Sequence, residues 1–368
     1  MLNTAGEKEP ILLENLLFSL NMSLPLFIVM GLGCILTHKG FFTENYIAHT
    51  TNLVYYVLLP GKMFLDIATS DLSTAFDIRY VAVATGGVVL QFALAWAAGW
   101  LLCPDRSKQS AFSHAAYRGN FVYLGTALLR NIYGVSHVPS ATLILALVIP
   151  LYNIQGVVLM TVKECQGRFR LSTVLLNVLK NPMILAVLAA IPFAYFKIQL
   201  PFVVSESLGY FQAATNTMAL LVVGGSIRLS ALKNDLPLLM RLCGVKLLLM
   251  PAIWAAMGIA AGPMPAAVNV YIITDKMGGD GALACSAVVV THLVSLFTMT
   301  AIIFAMRTAR LIEGVRRNVL KHCLRYMRHA MQLSGGQAYP LRTISAGRTN
   351  IMPISKYGKE FFTMDLPK

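Results

Sequence analysis

The stretch from residue 118 to residue 134 holds the polar groups best suited to chemistry in an otherwise apolar part of the chain. Its polar side chains are Arg118, Asn120, Thr126, Arg130 and Asn131, and glycine stands at positions 119 and 125. Guanidinium, amide and hydroxyl groups donate hydrogen bonds, so the chemistry they offer is the binding of a polar solute. In hydrocarbon, unwound backbone survives only where it is buried in protein or lines a watery cavity. The stretch therefore predicts a broken helix beside a solute pathway, with a soluble loop between two spans as the alternative.

Two further segments place polar side chains within apolar surroundings. Tyr152 and Asn153 fall at the middle of a span, where a polar group is costly unless it is partnered. Residues 262–276 form a second proline-broken segment that contains Pro265 and Asn269, and its apolar part is too short to cross a bilayer. All four residues are therefore candidates for a functional site.

The composition is typical of a polytopic membrane protein. Of the 368 residues, 57% are hydrophobic and only 12% are charged, and the mean hydropathy is +0.66. Much of the formal charge of +14 lies in residues 307–368, which hold twelve Lys or Arg against three acidic residues. The six scattered cysteines form no Cys-x-x-Cys pair, which indicates core packing rather than a disulfide framework.

Hydropathy divides the chain into ten segments, of which eight are mostly apolar and two are broken. A span needs about 20 mostly apolar residues, and on that rule the eight are 16–37, 45–68, 78–103, 140–162, 181–196, 203–229, 236–261 and 282–306. The broken segments take matching places in two halves of five. Because five is odd, the second half would enter the membrane with the opposite orientation, which is the inverted-repeat plan of many secondary transporters.

The predicted fold class is therefore an all-α polytopic membrane protein made of two inverted repeats. Its parts are an N-terminal tail (1–15), a first repeat (16–162), a basic cytoplasmic loop (163–180), a second repeat (181–306) and a basic C-terminal tail (307–368). Basic residues favour an N-terminus on the outer side, since the loops then inside hold ten Lys or Arg and the outer segments hold five.

Six short motifs occur in a recognisable order. They are Asn120 with Gly125, Pro150-Leu-Tyr-Asn153, Asn181-Pro182, Gly224-Gly225-Ser226, Lys246 followed by Pro251, and Met264-Pro-Ala-Ala-Val-Asn269. In this order, over about residues 16–306, the chain resembles the auxin efflux carrier family, which includes plant auxin exporters and bacterial carriers described as malonate transporters. The resemblance implies ten helices in two inverted repeats, with the fourth and ninth helices broken and crossing at mid-membrane.

The resemblance also implies a function. A secondary transporter of the bacterial inner membrane would move a small organic anion, similar to malonate or malate, by alternating access at the crossing. The family's pattern marks Asn120, Asn153, Pro265 and Asn269, and with Thr126 and Tyr152 these residues make up the predicted substrate site. Amide donors would bind the carboxylate, and each positive half-helix end would add about 0.3–1 kcal/mol. Interhelical hydrogen bonding is the alternative role for the asparagines.

The chain departs from the family pattern at three places. Threonine stands at Thr126 and Thr217, where the family usually has proline, and the first half of the ninth helix is shortened because Pro263 follows Ala261 so closely. If the chain crosses the membrane nine times instead of ten, the basic tail lies inside, which agrees with the preference of Lys and Arg for the inner side. The hypothesis is that residues 263–280 dip into the membrane and return on the outer side.

Charged and titratable residues near these segments have more than one interpretation. Asp66 with Lys62, and Asp275 with its neighbour Lys276, could couple transport to protons, or they could form ordinary ion pairs. Sodium coupling also stays open, and no cofactor or metal is predicted. Arg118 could attract anions towards the site, or, as is commoner, its head group could reach the interface from a helix end. His292 is interpreted as structural, whereas Lys246 could be either buried or interfacial.

The predicted partners are the substrate anion and the lipid bilayer. Residues 310–331 combine apolar positions at helical spacing with arginine and lysine, which is typical of a helix on an anionic lipid surface. Nucleic-acid binding is not predicted, because the position directly after a span already explains this charge. A homodimer stays open. An enzyme is not predicted, since the chain has no His-Glu-x-x-His motif, and a channel or a receptor-like protein without transport is the alternative.

Overall fold

The computed structural model describes residues 8–70, 78–121, 138–164, 171–256 and 264–308. These ranges are almost wholly helical, and the β-bridge that they contain joins Gly119 to Ala266. The helices of the first half are α1 (Lys8–His38), α2 (Glu44–Leu53), α3 (Leu59–Ala68), α4 (Ile78–Leu102), α5 (Gln109–Tyr117) and α6 (Val138–Glu164). The helices that follow are α7 (Leu171–Lys180), α8 (Pro182–Phe196), α9 (Phe202–Gly225), α10 (Leu229–Asn234), α11 (Leu236–Gly244), α12 (Met250–Ala256), α13 (Asn269–Lys276) and α14 (Gly281–Thr308).

Several helices are long and apolar enough to cross a bilayer. Within the described ranges, four segments meet both requirements: Ser19–His38, Val81–Leu102, Leu236–Trp254 and Gly281–Ile302. Val148–Val162 and Pro182–Phe196 are shorter apolar helices. The chain is therefore a multi-pass, all-α membrane protein, as predicted. One detail differs, because the predicted basic loop 163–180 contains the amphipathic helix α7.

Two spans contain a π-helical segment next to a proline. Val54–Leu58 joins α2 to α3, and Val245–Leu249 joins α11 to α12. Pro60 and Pro251 each lie six positions after the first residue of the segment. A proline has no N–H for the carbonyl four residues earlier, and its ring pushes that carbonyl away. The wider π turn accommodates this disruption without breaking the span.

Helices α1 and α9 approach each other backbone to backbone at two glycines. A Cβ atom added at Gly33 would overlap the carbonyl of Leu221, and one added at Gly224 would overlap the carbonyl of Met30. Small residues permit such close packing between membrane helices. These glycines therefore fix the distance between α1 and α9.

The ends of the helices show how the second half runs through the bundle. Lys108 precedes α5 and pairs with Asp235, which precedes α11, at 2.6 Å; this hydrogen bond raises the pKa of Lys108. In α13, Thr274 contacts His114 of α5 at 2.8 Å, so α13 runs back from the bridge towards the end of the bundle at which α5 begins.

This course bears on the hypothesis that residues 263–280 return on the outer side. The segment runs towards the end of the bundle that holds Lys108 and Asp235. The loops of both residues are predicted to lie inside, so this prediction and the hypothesis do not agree with each other. Helix α14 then runs the length of the bundle, since Thr300 near its end donates a hydrogen bond to Ser19 of α1 at 3.1 Å. Thus α1 begins and α14 ends at the same end of the bundle.

Candidate functional site

The candidate site lies where two unwound backbone segments cross. Helix α5 stops at Tyr117 because Arg118 adopts an extended conformation. The N–H of Asn120 then donates to the carbonyl of Pro265 at 3.0 Å, and the N–H of Ala267 donates to the carbonyl of Arg118 at 3.1 Å. The crossing is therefore a two-bond antiparallel bridge between main chains that are distant in sequence.

Side chains from α4 and the second π segment donate to two carbonyls that the end of α5 leaves free, and a side chain of α12 holds one of these donors in place. The fully buried Lys246 donates to the carbonyl of Ala116 at 3.0 Å. Gln91 donates to the carbonyl of Tyr117 at 2.8 Å and accepts a hydrogen bond from Trp254 at 2.9 Å. A helix end buried in an apolar bundle needs such partners, because no bulk water can replace them.

The second unwound segment is held from α14. Thr291 accepts a hydrogen bond from the N–H of Ala266 at 3.0 Å. Helix α13 begins immediately after this segment, at Asn269, and no side chain caps its N-terminus. The positive end of α13 therefore lies beside the crossing.

A cavity of about 60 Å³ adjoins the crossing. That volume could hold on the order of four water molecules. Its polar lining residues are Lys62, Asp66, Arg118, Asn120, Tyr152, Asn216 and Asn269. Its other lining residues are Leu59, Met63, Gly119, Phe121, Val148, Ile149, Ala267 and Val268. The cavity thus combines an apolar wall with hydrogen-bonding groups, as small-molecule sites commonly do.

Arg118 is a buried cation in the cavity wall. Only 4% of the residue is exposed. Its Nη2 donates to the Oδ1 of Asn153 at 2.8 Å, whereas its Nη1 has no hydrogen-bond partner among the residues that the structure describes. A buried guanidinium with a free N–H group is costly unless an acceptor satisfies it. Arg118 is therefore a buried cation whose Nη1 is left unpaired within the described part of the chain.

Asn120 has one amide hydrogen committed within the protein. Its Nδ2 lies 3.3 Å from the Nε2 of His292, and the Nδ1 of His292 lies 2.7 Å from the carbonyl of Val288. Since a carbonyl can only accept, we assign the proton of the imidazole to Nδ1, and Nε2 accepts from Asn120. The second amide hydrogen of Asn120 can then donate to a ligand. His292 is fully buried and has the structural role that its sequence position suggested.

An ion pair forms part of the cavity wall contributed by α3. The ammonium group of Lys62 lies 2.5 Å from the carboxylate of Asp66. The same carboxylate accepts a hydrogen bond from Gln212 of α9 at 2.5 Å. Both charged residues line the cavity, so Asp66 compensates Lys62 at the site itself.

The predicted site residues fall into three groups. Four of them line the same cavity at the crossing: Asn120, Asn269, Tyr152 and the coupling candidate Asp66. Pro265 contributes its carbonyl to the crossing. The remaining predictions, which concern Asn153, Thr126 and Asp275, are described next.

Asn153 is fully buried beside the cavity, where it accepts from Arg118 and donates to the sulfur of Met63 at 3.4 Å. Asp275 lies in the last turn of α13, away from the crossing and close to Gly281. Thr126 lies outside the described residues.

The structure decides between the two interpretations of Arg118, because the residue is buried at the crossing rather than at an interface. Asn216 and Phe121 also line the cavity, and the ring of Phe121 stacks on that of Tyr152 with centroids 6.1 Å apart. The polar triplet from Thr215 to Thr217 within an apolar span is the pattern that could have identified Asn216.

Comparison with known proteins agrees with this architecture. The family model described as "Membrane transport protein" matches residues 18–303. A protein of Rhizobium meliloti (strain 1021) named "Putative malonate transporter" is 21% identical over 301 residues, which cover 74% of this chain and 93% of the relative. The match covers well over half of the chain, and it includes both segments of the crossing. The chain therefore belongs to this family of membrane transport proteins, as its resemblance to the auxin efflux carriers predicted.

Proposed function

We propose that the protein is a secondary transporter that moves a small organic anion and binds the anion's carboxylate at Arg118. The observation that supports this most directly is the buried guanidinium, whose Nη1 lacks a partner in the described part of the chain and whose residue lines the cavity at the crossing. A carboxylate is the natural acceptor for such a group, because charge-assisted hydrogen bonds are stronger than neutral ones.

The groups around Arg118 suit the rest of a small carboxylate. Asn120 and Asn269 add amide donors, and the N-terminus of α13 adds partial positive charge on the same side. Asn153 is assigned a positioning role, since its Oδ1 holds Nη2 and leaves Nη1 directed elsewhere. The apolar lining around Val148 and Ile149 would contact the carbon skeleton.

The packing of the helices supports an inverted repeat and alternating access. Two of the most extensive contacts are α1 with α9 and α3 with α8. In the ten-segment scheme these are segments one with seven and two with six, so exchanging the two halves converts one contact into the other. A pair of halves with opposite orientation can expose one central site to either side of the membrane.

The substrate class and location are proposed from the same relationship. The Rhizobium relative is named for malonate, so short carboxylates are the first substrates to test. A bacterial inner membrane is the proposed location. Three further features are proposed from the sequence alone. They are coupling to protons or sodium, contact of the basic tail with anionic lipid, and a homodimer. Asp66 is the stronger coupling candidate, because Asp275 does not line the cavity.

Uptake of radiolabelled malonate and malate into proteoliposomes tests the proposal. Arg118→Gln should abolish saturable uptake, because the neutral side chain cannot offer a charged donor pair to the carboxylate. Arg106→Gln is the matched control, since Arg106 is exposed in the turn before α5. Imposed pH and sodium gradients, varied separately, would identify the coupling ion.

Counterflow distinguishes a carrier from a channel. Preloaded unlabelled anion should accelerate entry of labelled anion through a carrier, whereas a channel gives no such exchange. Equal uptake by Arg118→Gln and Arg106→Gln would show that Arg118 does not bind the substrate. Flux that never saturates would favour the channel.

A further inference from the structure

The cavity at the crossing has an unequal charge balance. Its described lining contains two cations, Arg118 and Lys62, and one anion, Asp66, while its other described residues are neutral. Lys62 and Asp66 lie 2.5 Å apart and compensate each other. The described wall therefore presents one uncompensated positive charge, and that charge belongs to Arg118.

The ion pair between Lys62 and Asp66 is held in place by α3, which carries both residues, and by α9. Lys62 and Asp66 are one helical turn apart on α3, so the backbone itself keeps them adjacent. Gln212 donates to the other carboxylate oxygen from α9, at 2.5 Å. Lys62 is only 9% exposed, which makes separation of the pair costly because its ammonium group would lose its partner without gaining full hydration.

We infer that Asp66 determines the charge of the anion that the site accepts, and that the site prefers anions with a single negative charge. This inference rests on the proposed function, because it concerns the substrate class of the same cavity. A singly charged carboxylate neutralises Arg118 and leaves the cavity balanced. A dianion brings a second charge into a poorly hydrated space where Lys62 is already paired with Asp66.

Matched ligands separate charge from shape. Malonate and its half-amide have nearly the same size, but the half-amide carries one charge instead of two. The same comparison can be made with succinate and its half-amide. Affinities are measured by calorimetry on the full chain in nanodiscs, at a pH at which the diacids are fully ionised. The wild-type protein should bind each half-amide at least about tenfold more tightly than the diacid.

Three variants test the role of Asp66 directly. Asp66→Asn keeps the size of the side chain but leaves Lys62 uncompensated, so the preference should move towards the diacid by about tenfold or more. Lys62→Met leaves Asp66 as an uncompensated anion, so both ligands should bind more weakly. The double variant Lys62→Met/Asp66→Asn restores a single positive charge, so the preference for the half-amide should return.

The ratio of the two affinities separates charge from damage to the fold, because a merely structural role would weaken the binding of diacid and half-amide alike and leave their ratio unchanged in all three variants. A diacid preference in the wild-type protein, or an unchanged ratio in Asp66→Asn, would overturn the inference alone, provided that Arg118→Gln still abolishes binding. If Arg118→Gln binds both ligands normally, the proposed function fails and this inference fails with it.

Discussion

The close approach of α1 and α9 predicts that a methyl group added at their contact lowers the stability of the protein. Gly224 of α9 packs on Met30 of α1, and Gly33 of α1 packs on Leu221 of α9. We expect Gly224→Ala to destabilise the protein, because the added methyl group meets rigid backbone. A flexible side chain could move aside, but two main chains can relieve the overlap only by separating.

The expected magnitude follows from the distances. A Cβ atom at Gly224 would lie 2.6 Å from the carbonyl carbon of Met30 and 2.8 Å from its Cα. Carbon atoms in contact prefer about 3.5–4.0 Å, so the helices would have to separate by about 1 Å. Overpacking of this kind lowers the unfolding free energy by about 1–3 kcal/mol. The better helix propensity of alanine offsets up to about 1 kcal/mol of that loss. The net loss of unfolding free energy should reach about 2 kcal/mol.

Two matched controls lie on the same helices. At Gly31 of α1 and Gly209 of α9, an added Cβ atom would meet no described heavy atom within 4 Å. Alanine at either position should be neutral or slightly stabilising, since only the propensity effect remains. The variants differ from Gly33→Ala and Gly224→Ala in position alone, so composition and expression are controlled.

Titration with sodium dodecyl sulfate in mixed micelles measures the unfolding free energies. The double variant Gly33→Ala/Gly224→Ala supplies a further check, because one separation of the helices relieves both overlaps. Its destabilisation should therefore be smaller than the sum of the two single effects. Equal unfolding of Gly224→Ala and Gly209→Ala would refute the reasoning, as would strict additivity in the double variant.

Two more predictions concern the end of α5 and the topology. Gln91→Leu should lower the unfolding free energy by about 1–3 kcal/mol, because it leaves the carbonyl of Tyr117 and the N–H of Trp254 without their partner. The same detergent titration measures this loss. A loss smaller than the error of the titration would contradict the prediction. In a cysteine-free background, single cysteines at positions 8 and 308 should react with an impermeant maleimide from one side of the membrane, and a cysteine at position 40 from the other. Labelling of positions 8 and 308 from opposite sides would disprove the course of α14.

Much of the fold could be predicted because hydropathy is a local property of the chain. The predicted span 45–68 compares with α2 to α3 at Glu44–Ala68, and the predicted interruption of the apolar pattern over residues 118–134 starts directly after α5, which ends at Tyr117. The polar and glycine residues there disfavour a continuous apolar helix. The π segments could not be predicted, since Pro60 alone does not determine how a helix accommodates it.

The roles within the site were harder to predict because they depend on contacts between distant residues. Arg118 lies at a helix end, where an arginine commonly reaches water, and its burial depends on Asn153, 35 positions away. The pairing of Asp66 with Lys62 is local and could be predicted, but the hydrogen bond from Gln212 could not. The direction of α13 could not be predicted either, because it follows from the contact between Thr274 and His114, and the charges of the loops carry no information about that contact.

The bridge between Gly119 and Ala266 has a consequence for how such a protein can acquire new substrates. Its two hydrogen bonds join main-chain atoms, so replacing most side chains in the cavity leaves the crossing itself intact. Gly119 is an exception, because an added Cβ atom would lie 2.8 Å from the ring of Phe121. Laboratory evolution towards larger anions should therefore collect substitutions at Val148 and Ile149 and retain glycine at position 119. The scaffold and the recognition surface can thus change independently under selection.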